Sequence, residues 1–354
     1  MTQKLQIAVL GAGRIGRQHM LRLQASPSCM LSAVVDPAPD APQIARDAGV
    51  PWFETLDQLW AAGRPDGVII ATPNALHVDQ ALACLAEGVP ALVEKPVAHT
   101  LEAGERLVRA AAQSDTPLLV GHHRAHSPIM ALARDVVRSG RLGRLVGVTG
   151  TALFCKPDAY FAEAPWRSKP GGGPVLLNLI HEIDNLRAMC GEITQVQAMA
   201  SNAVRGFETE DTVAIGLRFA GGALGTFLLS DTAASPRSWE QTSGEDAAYS
   251  SYPEEDCYVL AGTLGSLAIP SMRLHFYASQ ADRSWWKPFQ TQVLEWQRAD
   301  PLVRQIEHFG AVIRRQEPPR VSVRDGVQNL RVIDAILQAA RDACSVTLPS
   351  DPTS

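Results

Sequence analysis

Three glycines near the start of this 354-residue chain have the spacing of a phosphate-binding loop. They form Gly-x-Gly-x-x-Gly at residues 11–16, after the apolar segment Leu5–Leu10 and before a helical pattern, as a dinucleotide-binding loop requires. The first permits a tight turn, the second lets a pyrophosphate approach, and the third lets helix and strand pack closely. Free N–H groups of the helix would face the phosphates; the alternative is a turn without a ligand. The predicted cofactor contacts in this loop are Gly11, Gly13, Arg14, Ile15 and Gly16.

An acidic residue follows at the position of a ribose contact. Asp36 ends the second apolar segment, Leu31–Val35, 25 positions after Gly11. Its carboxylate would accept hydrogen bonds from the adenosine ribose and repel a 2′-phosphate. Because no arginine or lysine follows before Arg46, NAD is favoured over NADP.

A polar turn follows the next apolar strand. Thr72, Pro73, Asn74 and His77 come after Gly67–Ala71, at the carboxyl end of a strand, where open parallel sheets bind ligands. These residues are candidates for cofactor contact. An ordinary turn in which Asn74 caps the following helix explains the pattern equally well.

A lysine ends another apolar segment, in Glu94-Lys95-Pro96. Close to a cationic nicotinamide and partly removed from water, Lys95 would have a lowered pKa and could exchange protons with a substrate hydroxyl. A strand-end lysine that reaches water beside Glu94 is the alternative, and the tripeptide alone fits that alternative better.

Polar side chains interrupt an apolar helical segment in the second half of the chain. The segment follows Gly171–Gly173 and carries Asn178, His181 and Asn185 on one stripe, with Asp184 beside it. Buried polar groups need partners, either in the protein or in a ligand. The alternative to a ligand-facing His181 is a histidine satisfied within the core.

The elements around these motifs change character along the chain. In the first third, continuous apolar strands alternate with amphipathic helices, which indicates a parallel sheet covered on both faces. From about Arg144, longer alternating segments predict one antiparallel sheet, with a helix around Val175–Met189 and two closing helices.

Together these motifs resemble those of the glucose–fructose oxidoreductase, inositol dehydrogenase and rhizopine-catabolism (Gfo/Idh/MocA) family. They occur in the same order along essentially the whole chain, and Glu-Lys-Pro is the most specific of them. The resemblance implies an α/β Rossmann domain that binds NAD, over residues 1–121. It also implies an α+β domain with a large, mostly antiparallel sheet, over residues 122–354, for substrate binding and oligomerisation. The closing helices could pack back on the first domain.

The resemblance also implies catalytic roles. Lys95 matches the family lysine that contacts cofactor and substrate hydroxyl, together with Glu94 beside it, and His181 matches the histidine that acts as acid or base or orients that hydroxyl. The family often has Asp four residues before this histidine, where the present chain has Leu177. This departure leaves the division of roles between Lys95 and His181 open. Our hypothesis is that Lys95 is the main proton-transfer residue and that Asn178 positions the substrate.

Further positions match substrate-facing segments of the family. For the Trp-Arg pair before the triple glycine, the alternative is a surface loop anchor. The predicted substrate contacts are His123, Arg124, Trp166, Arg167, Asn178 and Asp184.

A histidine-rich stretch, with His122, His123 and His126, suggests a metal site at first sight. Neighbouring residues on a strand point to opposite faces, so His122 and His123 would not share one ion. No second cluster of ligands has the spacing of a metal site, and we expect no metal.

Composition excludes several classes of protein. Thirty-two basic and 37 acidic residues give a net charge of −5, and no basic block is present, which argues against nucleic acid and acidic membranes as partners. The apolar segments have strand length, and no signal peptide is recognisable. Six scattered cysteines without Cys-x-x-Cys are typical of a cytoplasmic protein. The resemblance implies a homodimer or homotetramer formed through the C-terminal sheet.

Together with the motifs, the family resemblance implies an NAD-dependent oxidoreductase that transfers hydride between nicotinamide and a secondary hydroxyl of a sugar, inositol or related polyol. One alternative is a cis-dihydrodiol carboxylate dehydrogenase of aromatic catabolism, in which Arg124, Arg167 or Lys169 would bind the carboxylate. Another alternative is an enzyme of this fold in which tightly held NAD cycles without net redox change. A catalytically silent dinucleotide-binding sensor is the alternative outside enzymology.

Overall fold

Residues 3–349 are described in a computed structural model, and they form two units. The first unit consists of the chain up to His126 together with Asp300–Leu330, and the second of Ser127–Ala299 and the chain from Arg331 onward. This division differs from a boundary at residue 121. The physical reason is packing, because Ile306 and Phe309 belong to the apolar core of the first unit.

Fifteen strands are present in the described part of the chain. They are β1 (Leu5–Leu10), β2 (Cys29–Val35), β3 (Trp52–Phe53), β4 (Gly67–Ile70), β5 (Ala91–Glu94), β6 (Leu118–Gly121), β7 (Leu145–Leu153), β8 (Ile193–Ser201), β9 (Thr212–Phe219), β10 (Leu224–Ser230), β11 (Tyr258–Gly262), β12 (Gly265–Ile269), β13 (Arg273–Phe276), β14 (Gln290–Val293) and β15 (Val346–Thr347).

Eleven α-helices accompany them in residues 3–349. They are α1 (Arg14–Ala25), α2 (Ala41–Asp47), α3 (Leu56–Ala62), α4 (His77–Ala86), α5 (Leu101–Ala111), α6 (Pro128–Arg138), α7 (Asp158–Ala162), α8 (Ile180–Cys190), α9 (Trp239–Ser243), α10 (Pro301–Ile313) and α11 (Val323–Asp342). Shorter 3₁₀ turns cover Asn74–Leu76, His123–His126, Pro165–Ser168 and Gln280–Asp282, and a π-turn covers Val175–Leu179.

The sheet of the first unit is parallel throughout, with strand order β3-β2-β1-β4-β5-β6. This is the doubly wound order of a dinucleotide-binding fold, in which the carboxyl ends of β1, β4 and β5 meet at one edge. All residues of β4, β5 and β6 are buried, as expected for strands covered on both faces. The expected Rossmann fold is confirmed.

The helix α10 illustrates how local sequence sets an element's start. The Asp300 carboxylate accepts hydrogen bonds from the N–H groups of Leu302 and Val303, and Pro301 occupies the first turn. An acidic cap and an early proline are both typical of helix N-termini.

The sheet of the second unit has nine strands in the order β14-β13-β12-β11-β7-β10-β9-β8-β15. All neighbours are antiparallel except β7 and β10, which pair in parallel, so the mostly antiparallel sheet is confirmed. One face is apolar and packs in a core with side chains such as Ile183 of α8 and Ile336 of α11. The alternating pattern along β10, buried at Phe227 and Leu229 but exposed at Leu228, shows the two faces.

The two edge strands β14 and β15 were not predicted from the sequence. All four residues of β14 are exposed, so no burial pattern marks it, and β15 is two residues long. Pairing with β13 and β8 creates these strands. Within residues 3–349, none of the helices combines the length and apolar character needed to cross a lipid bilayer.

Candidate active site

The glycine loop after β1 excludes side chains at two of its three glycines. A Cβ on Gly11, which has φ +90°, would lie 2.6 Å from the Ala71 carbonyl oxygen, and a Cβ on Gly16 would lie 1.8 Å from the Gly11 carbonyl oxygen. At Gly13 a Cβ would meet no atom within 4 Å. Gly11 and Gly16 are therefore required by the protein itself, whereas the space beside Gly13 suits a bound group.

The helix α1 begins directly after Gly13, with Arg14 exposed and Ile15 half-buried in its first turn. No side chain caps this N-terminus, and its first turn carries no acidic residue. Main-chain N–H groups and the positive end of the helix dipole thus face the open side of the loop. The loop fits the pyrophosphate of a dinucleotide.

Asp36 follows β2 and supports the same loop. Its carboxylate accepts hydrogen bonds from the N–H groups of Ala12, at 2.6 Å, and Ala38, at 2.7 Å. A carboxylate has about four acceptor positions, so it can still accept from ribose hydroxyls. Asp36 therefore holds the loop and is placed at the end of β2, as a ribose contact requires.

The turn after β4 is tied to the end of β5 by a histidine. His77 is buried, and its Nδ1 and Nε2 lie 2.8 Å from the carbonyl oxygens of Pro96 and Thr72. Burial lowers the pKa of His77, and the two carbonyl contacts oppose this shift. With both ring nitrogens engaged, His77 joins the two loops, while Pro73 is exposed and Asn74 is half-buried.

Glu94 is buried at the end of β5 and anchors the residue that follows it. His19 Nε2 lies 2.7 Å from Glu94 Oε1, and the Lys95 N–H donates to Oε2 at 3.2 Å. A Cβ on Gly121 would lie 2.9 Å from Glu94 Cδ, so that glycine leaves room for the carboxylate. Burial would raise the pKa of Glu94, but the hydrogen bond and charge of His19 and the charge of Lys95 lower it overall. Glu94 thus connects Lys95, which is half-buried, to helix α1.

The histidine-rich stretch does not continue strand β6. The expectation that His122 and His123 point to opposite faces assumed a strand at these positions. β6 ends at Gly121, and His123–His126 form a 3₁₀ turn. Burial, together with the charges of Arg124 and Lys95, lowers the pKa of His123 well below its ordinary value. The Arg124 side chain is buried in this turn, with 2% of its surface exposed. In residues 3–349, no group of three or more His, Cys, Asp or Glu side chains could hold a metal ion.

In the second unit, Asn178 lies in the π-turn that leads into α8. Its Oδ1 accepts a hydrogen bond of 2.8 Å from Lys156 Nζ. Lys156 also lies 3.5 Å from the Asp231 carboxylate, which in turn receives a 2.8 Å hydrogen bond from Arg205 Nε. The spacing of polar residues on the helix pointed to Asn178, but nothing in the sequence pointed to Lys156, because 22 positions separate the two.

His181 and Asp184 are both buried on α8, each 6% exposed. The charge of Asp184 acts on Arg134. Burial lowers the pKa of Arg134, and the negative charges of Asp135 and Asp184 oppose this shift. Asn185, which the sequence placed on the same stripe as His181, donates to the hydroxyl of the buried Tyr258 at 3.2 Å. That end of the stripe therefore belongs to the core.

Trp166 and Arg167 lie in a 3₁₀ turn before the triple glycine. Trp166 is 54% exposed. The Arg167 guanidinium lies over the Tyr160 ring, 3.8 Å from its centroid, and donates to the Tyr160 carbonyl oxygen at 2.5 Å. No ion pair in the described part of the chain includes Arg167, so its charge is available to an anion.

Known proteins show the same two-part organisation. A profile described as "Oxidoreductase family, NAD-binding Rossmann fold" matches residues 5–122, and the "GFO/IDH/MocA C-terminal domain" matches residues 130–268. The chain belongs to the Gfo/Idh/MocA oxidoreductase family.

Individual members of the Gfo/Idh/MocA family resemble the chain to different extents. It is 31% identical to the rhizopine catabolism protein MocA of Rhizobium meliloti over 189 residues, which cover 53% of this chain and 58% of that protein. It is 27% identical to scyllo-inositol 2-dehydrogenase (NAD(+)) of Bacillus subtilis, over 98% of this chain and 97% of that protein. The structure of the WlbA dehydrogenase of Bordetella pertussis with NADH and UDP-GlcNAcA has a TM-score of 0.79 at 24% identity, over 99% and 100% of the two chains.

The sequence motifs indicated the cofactor loop but not the side chains that anchor the neighbouring residues. The chain is an NAD-binding oxidoreductase, and the glycine loop fits that cofactor. The anchors His19 and Lys156 were missed, since each acts through a partner at least 22 positions away. A buried polar side chain on an otherwise apolar helix face was the available signal for His19.

Proposed function

We propose that this protein is an NAD-dependent dehydrogenase that oxidises a secondary hydroxyl of a sugar, inositol or related polyol. The Bacillus subtilis relative, similar over nearly the full length of both chains, is a scyllo-inositol dehydrogenase, which supports a cyclic polyol as substrate. The unit with the parallel sheet would bind NAD, and the unit with the nine-stranded sheet would bind substrate.

The anchoring of Lys95 is the observation that carries the proposal. Lys95 follows β5 at the edge where the glycine loop follows β1. Its neighbour Glu94 is bonded to His19 of α1, the helix that starts at that loop. Lys95 is therefore held in a defined relation to the cofactor loop, as a proton-transfer residue must be.

The division of chemistry follows from the residue types. Bound at the glycine loop, NAD would supply the acceptor for the hydride that leaves the carbinol carbon. Lys95 accepts the hydroxyl proton as the main proton-transfer residue, and His181 assists by orienting the hydroxyl or sharing the proton. Asn178 binds a substrate oxygen. Asp36 selects NAD over NADP, because a 2′-phosphate would approach its carboxylate.

A substrate with a carboxylate, such as a cis-dihydrodiol carboxylate, is the second candidate. Of the three basic residues considered for it, Arg124 is buried and Lys169 pairs with Glu208. Arg167 is the one whose charge has no acidic partner in residues 3–349, and it favours this candidate.

We further infer that the chain forms a homodimer or homotetramer and acts in the cytoplasm. The outer face of the nine-stranded sheet exposes apolar side chains on neighbouring strands, and an exposed apolar patch is typical of a protein interface. These side chains are Val146, Leu224, Leu228 and Val259. Light scattering after size-exclusion chromatography tests the oligomeric state, and a monomer would contradict the inference. Leu228→Asp would weaken the assembly.

The test of the function follows reduced-nicotinamide absorbance with NAD or NADP against inositols, sugars, sugar acids and cis-dihydrodiol carboxylates. We expect reduction of NAD by a polyol, and a fall in kcat of about a hundredfold or more for Lys95→Ala. Near-normal turnover by Lys95→Ala would remove its assignment. Activity confined to substrates that carry a carboxylate, and abolished in Arg167→Met, would favour the second candidate. NAD that copurifies and never turns over would favour a sensor.

A further inference from the structure

A buried lysine that no part of the proposed reaction uses lies beside Asn178. The side chain of Lys156 is 10% exposed, and its ammonium donates to Asn178 Oδ1 at 2.8 Å. The ammonium also lies 4.9 Å from the ring centroid of Tyr160 and 5.7 Å from that of Phe154. A lysine charge is rarely withdrawn from water to this extent without a specific partner.

Neutralising the negative charge of Asp231 does not require a hydrogen bond from Lys156 to Asn178. Asp231 already binds Arg205, whose Nε donates to Oδ1 at 2.8 Å, while Lys156 is 3.5 Å from Oδ2. The shorter contact of Lys156 is the one with Asn178. The arrangement is therefore more than an ion pair that neutralises Asp231.

The bond from Lys156 determines which end of the Asn178 amide is free. An ammonium only donates hydrogen bonds, so the atom that faces it must be the amide oxygen. Within the described residues, the Asn178 side chain has no hydrogen-bond partner besides Lys156. The NH₂ group then points away from Lys156 as a pure donor.

We propose that Lys156 is a positioning residue that fixes the Asn178 amide so that its NH₂ group donates to a substrate oxygen. This inference rests on the proposed dehydrogenase function and narrows its substrate. The oxygen must accept a hydrogen bond, as the hydroxyl of a polyol or the carbonyl of its ketone does. A substrate that places only donors or apolar atoms there would leave the NH₂ group unsatisfied, which is costly in a desolvated site.

The first test compares Lys156→Met with a matched lysine variant, Lys287→Met. Lys287 is 52% exposed and pairs with Asp282. We expect Lys156→Met to lower kcat/KM for the polyol about tenfold, the loss of one hydrogen bond to a charged group, and Lys287→Met to leave it unchanged. Because Arg205 still neutralises Asp231, the variant should fold, and its NAD affinity should equal that of the wild type.

A double-mutant cycle separates positioning from general stabilisation. If Lys156 acts through Asn178, Lys156→Met lowers kcat/KM in the wild type but has no further effect in Asn178→Ala. Losses that multiply in the double variant, or an unchanged kcat/KM in Lys156→Met, would overturn the proposal.

A second measurement does not depend on turnover. In the ¹⁵N-labelled chain, the side-chain amide signals of Asn178 are identified by their loss in Asn178→Ala. We expect these signals to shift in Lys156→Met and not in Lys287→Met, and unshifted signals would contradict the proposal. Should the wild type oxidise no polyol, the proposed function fails, and these signals still decide whether Lys156 holds the amide.

Discussion

The two units hold their candidate functional residues in place by different means. In the first, the glycine loop and the N-terminus of α1 offer main-chain atoms at one edge of a parallel sheet. In the second, side chains from separate elements pair with each other, such as Lys156 with Asn178 and, in the core, Tyr258 with Asn185.

This difference has a physical origin. A main-chain site depends on conformations that few residue types permit, so it leaves local motifs in the sequence. A side-chain network depends on which distant residues the fold brings into contact, and many sequences can supply such pairs. The first kind of site should therefore respond to added atoms, and the second to lost polar groups.

The largest effect is expected from Gly16→Ala. The added Cβ would lie 1.8 Å from the Gly11 carbonyl oxygen, so the strand-to-helix turn would have to open. We expect a loss of about 3 kcal/mol or more in unfolding free energy, at the upper end of overpacking penalties. Urea denaturation measures it, and a variant of wild-type stability would show that the loop tolerates the methyl group.

The matched variant Gly13→Ala sharpens the comparison, because its Cβ would meet no protein atom within 4 Å. We expect wild-type stability but NAD affinity lowered by about a hundredfold, equal to about 2.7 kcal/mol, because the methyl group occupies the space of the pyrophosphate. Calorimetric titration with NAD measures this. Unchanged affinity would mean that the pyrophosphate lies elsewhere.

In the second unit, Tyr258→Phe removes a polar group instead of adding an atom. The Tyr258 hydroxyl donates to the Glu182 carboxylate and accepts from Asn185, and all three residues are buried. We expect a loss of about 1–3 kcal/mol in unfolding free energy. Tyr252→Phe, at a residue 45% exposed, is the control and should stay within about 0.5 kcal/mol. Equal stability of the two variants would contradict the importance of the network.

The smallest effect on stability is expected from a pair of histidine side chains inside the first unit. His126 Nε2 lies 3.0 Å from His308 Nδ1. Burial lowers the pKa of both, that of His126 well below its ordinary value, and the charges of His308 and Arg320 lower the pKa of His126 further. Near pH 6.5 these histidines bind protons in the unfolded chain but stay neutral in the folded chain. The free energy of unfolding therefore falls as the pH drops below that value.

For each such histidine we expect a decline of about 0.7 kcal/mol per pH unit at pH 6.5, which steepens toward about 1.4 kcal/mol per pH unit as the unfolded histidine becomes fully protonated. Denaturation midpoints between pH 7.5 and 5.5 measure it. His126→Asn should make the decline shallower, while His99→Asn, at an exposed residue, should not. An identical slope in all three proteins would show that the pair does not control acid sensitivity.

The sequence predicted the first unit's sheet closely, because β1 matches the segment Leu5–Leu10 at both ends and β4 ends one residue before Ala71. Continuous apolar strands between helices leave a strong pattern. The helix predicted around Val175–Met189 exists, but its first turn is a π-turn that no periodicity indicated. The structure groups α10 with the first unit, as the family resemblance allowed for the closing helices. The amphipathic pattern alone does not identify the surface that such a helix covers.

The sequence by itself indicated the glycine loop at residues 11–16, because its spacing reflects backbone requirements that few residue types meet. Asp36 and Lys95 stood out as charged residues at the ends of apolar segments. Only the tertiary structure decided that Glu94 binds His19, that His77 joins two loops and that Lys156 orients Asn178. The contacts of Glu94 with His19, of His77 with Pro96 and of Lys156 with Asn178 join residues 75, 19 and 22 positions apart. Local pattern carries no information about such pairs, since hydrogen bonding requires only that the fold bring a donor and an acceptor within reach.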